Sequence, residues 1–94
     1  MIEEPYKYRV KIVLESGMWL CDCEEKNENG VIFYEVIVTA PESVSPGRRP
    51  SKPLPMKFNR REMAFEFEMW PDEYEDDIEV LEERLSEEIV ERLQ

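Results

Sequence analysis

Histidine is absent from this chain of 94 residues. That removes the usual general base near neutral pH, the Ser–His and Cys–His dyads, and imidazole metal sites. Cysteine is confined to Cys21 and Cys23. One intervening residue puts both on the same strand face, where a disulfide would be strained. Two thiols without imidazole also fall short of a four-ligand structural zinc site. They are expected as small buried side chains. Only Gly17, Gly30 and Gly47 supply glycine, and neither G-x-x-x-x-G-K-[S/T] nor G-x-G-x-x-G occurs. No apolar run approaches the roughly 18 residues that span a membrane. The segment Met1-Ile2-Glu3-Glu4-Pro5 has neither the basic start nor the apolar core of a secretory signal. The expectation is a cytoplasmic protein without membrane association, metal or cofactor.

What is present is charge and a modest core. The chain has 12 Lys+Arg against 23 Asp+Glu, a formal net charge of −11, with 41% apolar and 11% aromatic residues. The apolar share is too high for a disordered tail. The length fits a single domain over 1–94 and excludes a cofactor cleft between two halves.

Residues 6–15 alternate Tyr6, Tyr8, Val10, Ile12 and Leu14 with Lys7, Arg9 and Lys11, the period of a half-buried strand. Ser16-Gly17 is expected to turn the chain into a second strand over 18–26. Asn29-Gly30 is a strong hairpin signal, because both central residues of a type I′ turn need positive φ; residues 31–39 are the third strand. Two-residue turns at 16–17 and 29–30 place Lys11 opposite Asp22, Arg9 opposite Glu24, and Glu24 opposite Glu35. The same register gathers Tyr8, Val10, Ile12, Leu14, Trp19, Cys21, Cys23, Tyr34, Val36 and Val38 on one face. The other face carries Val13, Leu20, Phe33 and Ile37, an apolar patch that asks for a cover.

Residues 40–58 contain five prolines. That composition argues against a helix or an inner strand and for a Pro-rich basic loop, with Val44, Leu54, Met56 and Phe58 laid over the sheet's second face. Residues 63–69 alternate Phe65, Phe67 and Met69 with Glu66 and Glu68, a fourth strand. Its acidic face suits a place beside the Lys7/Arg9/Lys11 strand, giving the order 4-1-2-3. Asp72 with Glu75 three residues on resembles a capping box. A helix is expected over 73–93, with Tyr74, Ile78, Leu81, Leu85, Ile89 and Leu93 as its buried stripe. The fold class is therefore α+β: a four-stranded, mainly antiparallel sheet with one C-terminal amphipathic helix on one face.

The charge is segregated. Residues 1–61 have 10 basic and 9 acidic residues (+1); residues 62–94 have 14 acidic residues and two arginines (−12). Glu75, Glu79, Glu83, Glu87 and Glu91 recur every four residues, a helical column of like charges costing on the order of 1–2 kcal/mol. Opposed to it is the basic set Arg48, Arg49, Lys52, Lys57, Arg60 and Arg61. The plain reading is a solvated acidic face. A sharper reading is that the column docks on a basic protein surface by imitating phosphates, as a nucleic-acid-mimicking inhibitor of a phage or mobile-element type would. Its contacts would be Glu75, Glu79, Glu83, Glu87 and Glu91, with Arg48, Arg49, Arg60 and Arg61 as a second surface. Direct nucleic-acid binding by the basic loop is opposed by the −12 segment. The alternative role is a structural protein, monomer or homodimer, that self-associates through the apolar sheet face. Catalysis is not expected: Asp72, Glu73, Asp76 and Asp77 match no calcium-loop spacing, and strand alternation accounts for Glu66 and Glu68.

Overall fold

A computed structural model describes residues 7–93. Tyr6, counted above with the first strand, the Met1–Pro5 segment and Gln94 lie outside them. The chain forms β1 (Lys7–Leu14), β2 (Gly17–Glu28), β3 (Val31–Thr39), β4 (Leu54–Asn59), β5 (Ala64–Phe67), a single 3-10 turn (Asp72–Tyr74) and α1 (Ile78–Leu93). The architecture is α+β. The sheet is wholly antiparallel and runs β1-β2-β3-β4-β5. It has five strands, not four.

The first three strands follow from alternation and turn chemistry. Asn29 (φ 54°) and Gly30 (φ 81°) take the positive φ of the type I′ turn, and Glu24 does face Glu35. The first hairpin differs in detail. Its turn is Glu15-Ser16, and Gly17 pairs with Leu14 as the first residue of β2. The pairing slips accordingly: Arg9, expected opposite Glu24, faces Asp22, Lys7 faces Glu24, and Lys11, expected opposite Asp22, faces Leu20 and has no acid across from it. The cause is Gly17, whose φ of 134° suits glycine and whose Cα lies so close to Pro41 that a Cβ would sit 2.7 Å from the proline Cβ. The shift preserves which face each side chain takes, so the expected inner face stands.

β4 overturns the reading of 40–58 as loop throughout. The irregular segment ends at Pro53, and Leu54–Asn59 is an inner strand between β3 and β5. Pro55 is tolerated for a positional reason. Its carbonyl accepts from Glu68 N–H at 3.1 Å, beyond the last β4–β5 pair, Met56 with Phe67. The donor it lacks would point to that side, where the ladder has run out. Ser51 ties the preceding segment to β3, donating its N–H to the Val38 carbonyl at 2.8 Å and accepting Val38 N–H on its hydroxyl at 2.9 Å. The apolar members of this region do not cover the second face. Leu54 and Met56 are buried in the core, Val44 packs against it, and Phe58 stays 40% exposed.

The 63–69 strand is β5. It lies beside β4 at the edge, not beside β1, so the order 4-1-2-3 is wrong. α1 packs on β5 and on β1, which are the two opposite edges of the sheet. One helix reaches both only because the sheet curls around it. Ile78, Leu81, Leu85 and Ile89 fill the inside with Trp19, Cys21, Tyr34, Val36, Val38 and Met56. Leu93, expected in the stripe, is 50% exposed. The helix begins at Ile78 rather than at 73. Before it, Tyr74 is drawn into the core: it meets Trp19 edge-on at 5.1 Å, and its hydroxyl donates to the Val38 carbonyl at 3.3 Å. Asp77 then supplies the carbonyl for the first helical bond, from Leu81 N–H, and its carboxylate accepts from the Ser16 hydroxyl. Neither Asp72 nor any other side chain caps the 3-10 turn.

Candidate protein-binding surface

Burial of the Ile78/Leu81/Leu85/Ile89 stripe fixes the rotation of α1, and with it the direction of its acids. Glu79, Glu83, Glu87 and Glu91 are all exposed. At 1.5 Å per residue they form a row about 18 Å long, with neighbours about 6 Å apart. Glu75 is exposed too, but it precedes α1 and does not continue the row. The three remaining like-charge contacts cost on the order of 1 kcal/mol. Among the described residues, no ion pair joins these glutamates to a basic side chain.

The row forms one wall of a groove of about 750 Å³ between α1 and the start of β5. Glu62 and Glu66 stand on the other side, and Met63, Ala64, Phe65 and Val90 supply apolar lining. The two walls are clasped by side chains of α1. Ser86, 4% exposed, accepts Phe65 N–H on its hydroxyl at 2.8 Å, and Glu82 accepts Phe67 N–H on its carboxylate at 2.8 Å. These are the donors β5 would otherwise present at a free sheet edge. Partial burial raises the pKa of Glu82; the Phe67 N–H opposes the rise, and nearby Glu66 and Glu79 add to it. Glu66 accepts from the Asn59 side-chain amide at 3.0 Å. Ser86, Glu82, Glu62 and Glu66 were not among the sequence candidates. Only Ser86 leaves a trace in the sequence, as a small polar residue directly after a buried helix position.

The basic candidates are not brought together. Arg48 and Arg49 lie in the loop beyond the end of β3. Arg60 and Arg61 lie in the β4–β5 turn at the opposite end of β4, a strand about 20 Å long. Arg48 serves the loop itself: its guanidinium donates to the Ala40 and Met18 carbonyls at 3.4 Å. Arg49, Arg60 and Arg61 are exposed. Arg92 lies over the Tyr8 ring, 4.2 Å from its centroid.

The outer face of the sheet is a lattice of opposed charges. Arg9 binds Asp22 through two nitrogens, at 2.7 and 3.2 Å; Lys26 bridges Glu24 and Glu35, and Lys57 meets Glu68. Among these long side chains Leu20, Phe33 and Ile37 are half-buried, while Val13 is 66% exposed. The stems of Lys, Arg and Glu cover what was expected to need a separate lid.

Inside, Cys21 and Cys23 are free, buried thiols. Burial raises both pKa values, that of Cys23 to about 12. Tyr34 donates to Glu25 at 2.8 Å. The Tyr8 hydroxyl is shut from solvent and lacks a partner in hydrogen-bonding geometry among the described residues. Burial, then Cys23, pushes Tyr8 up to about 12. Among the described residues, no three acidic or thiol side chains converge closely enough to hold a metal ion, and no helix is long and apolar enough to cross a membrane.

Comparison with family models, with curated proteins and with solved structures gives no match.

Proposed function

We propose that this protein is a non-catalytic binding module that engages a basic protein surface through the acidic face of α1. The observation that carries this reading is the Glu79/Glu83/Glu87/Glu91 row. It is exposed, unneutralised among the described residues, and retained although it costs helix stability. Phosphate imitation is the form we favour. The target is the Lys/Arg surface of a nucleic-acid-binding protein, and the consequence is inhibition. Self-association through the outer sheet face is disfavoured, because the salt-bridge lattice already covers most of that patch.

The test is charge reversal. Glu79→Lys, Glu83→Lys and Glu87→Lys together should abolish capture of basic partners from a lysate of the source cell. The same change at Glu15, Glu28 and Glu73, which are exposed and away from the row, should leave capture largely intact. Equal losses from the two triple variants would reduce the row to a solubility feature.

A further inference from the structure

The two edges of the sheet are finished differently. At β5 the outward donors of Phe65 and Phe67 are taken by Ser86 and Glu82 of α1. At β1 no such clasp forms. Leu14 and Gly17 close the first turn as a hydrogen-bonded pair, and bonded pairs then recur at Ile12, Val10 and Tyr8. The N–H and C=O groups of Arg9, Lys11 and Val13 therefore point away from β2. Among the described residues, no hydrogen bond reaches them. Their side chains are exposed too, Val13 at 66%, whereas the outer-face residues Leu20, Asp22, Glu24, Phe33, Glu35 and Ile37 of the inner strands are half-buried.

We infer that the edge of β1 over 9–13 is a docking site for an extended, acidic segment of a partner protein, which adds to the sheet as a further strand. This surface is separate from the acidic row of α1 and does not depend on it. The backbone decides the occupant's conformation. The outward groups repeat every second residue, about 6.6–6.8 Å. Another extended chain presents N–H and C=O at that repeat; a helix spends its own internally. The side chains decide the occupant's charge. Arg9 and Lys11 stand on the outer face, and among the described residues Lys11 makes no ion pair. On the other side, α1 turns toward β1 the flank that carries its two arginines: Arg92 lies over the Tyr8 ring, and Arg84 is about two turns back, with Glu88 between them. A second copy is disfavoured as the occupant, because the two-fold register that pairs Arg9, Lys11 and Val13 sets Lys11 against Lys11. Cations on an edge strand guard against such self-pairing. The same cations favour carboxylates at alternate positions of an incoming strand.

The experiment uses the whole chain at neutral pH and low salt. In the free protein, the Arg9, Lys11 and Val13 amides should exchange hydrogen fast, and those of Val10 and Ile12 slowly. The probe is a short, end-capped peptide alternating glutamate and valine, titrated to millimolar concentration and followed by amide chemical shifts. It should bind, shift residues 9–13 and slow exchange at Lys11 and Val13. The same peptide methylated on its glutamate nitrogens keeps the charge, loses the donors that face β1, and should not bind. Lys11→Glu should weaken the unmethylated peptide about three- to tenfold. Arg61→Glu, an equal charge change at an exposed site in the β4–β5 turn, should alter it little. The inference is overturned by slow exchange of the Lys11 and Val13 amides in the free protein, by their fast exchange in the complex, by equal binding of the methylated peptide, by equal losses from the two variants, or by no binding at all.

Discussion

Replacing Ser86 with Ala tests the clasp between α1 and β5 at a single oxygen. The hydroxyl of Ser86 takes the Phe65 N–H at 2.8 Å, and both residues are buried, at 4% and 3% exposure. Alanine removes the acceptor at a site where both partners are buried. A buried N–H left without a partner costs about 1–3 kcal/mol. Alanine returns up to about 0.5 kcal/mol through its better helix propensity. The net expectation is a loss of about 1–2 kcal/mol, or roughly 5–15 °C in Tm for a domain of this size. Urea unfolding followed by circular dichroism measures the loss. Hydrogen exchange at the Phe65 amide, faster in the variant with distant β2 amides unchanged, assigns it to the clasp. Unchanged stability together with unchanged Phe65 exchange would show that this bond does not hold the edge.

Glu82→Gln keeps an acceptor for Phe67 N–H and removes the charge. Because folding raises the Glu82 pKa above its ordinary 4.5, the wild type gains stability from this group as pH falls through the folded value, and is penalised above it. The variant should therefore be the more stable at pH 7, with the difference closing as the pH falls through the raised folded value and gone below the ordinary 4.5; urea midpoints at pH 7 and below 4.5 check the sign. Cys21 and Cys23, buried with raised pKa values, should ignore a thiol reagent in the native protein and both react once it is unfolded. A fast-reacting thiol under native conditions would contradict their placement.

The strongest local signals in the sequence carried the most structure. Period-two alternation and Asn29-Gly30 specify β1 to β3 and the whole β2–β3 register, and the Ile78/Leu81/Leu85/Ile89 spacing specifies the buried side of α1. Proline content misled over β4. The count of prolines suggests a loop, but only the direction of the absent Pro55 donor matters, and that depends on where a non-local ladder stops. The place of β5 was equally hidden. Acid–base complementarity favoured β1 as its neighbour, whereas β5 pairs with β4 and spends its edge donors on Ser86 and Glu82, 21 and 15 residues further on. The start of α1 was missed because a capping pattern at Asp72 competes with the pull of the Trp19 pocket on Tyr74. The acidic row was legible from helical spacing; the wall facing it was not, since Glu62 and Glu66 join the groove only through tertiary packing.

The curled sheet separates two populations of charge that respond in opposite ways to added electrolyte. On its convex side the cation–anion lattice weakens as ions screen it, though half-exposed pairs are worth little individually. Along α1 the same ions relieve repulsion between glutamates. Raising the ionic strength should thus leave the folded state unharmed or firmer, while loosening its grip on any cationic visitor.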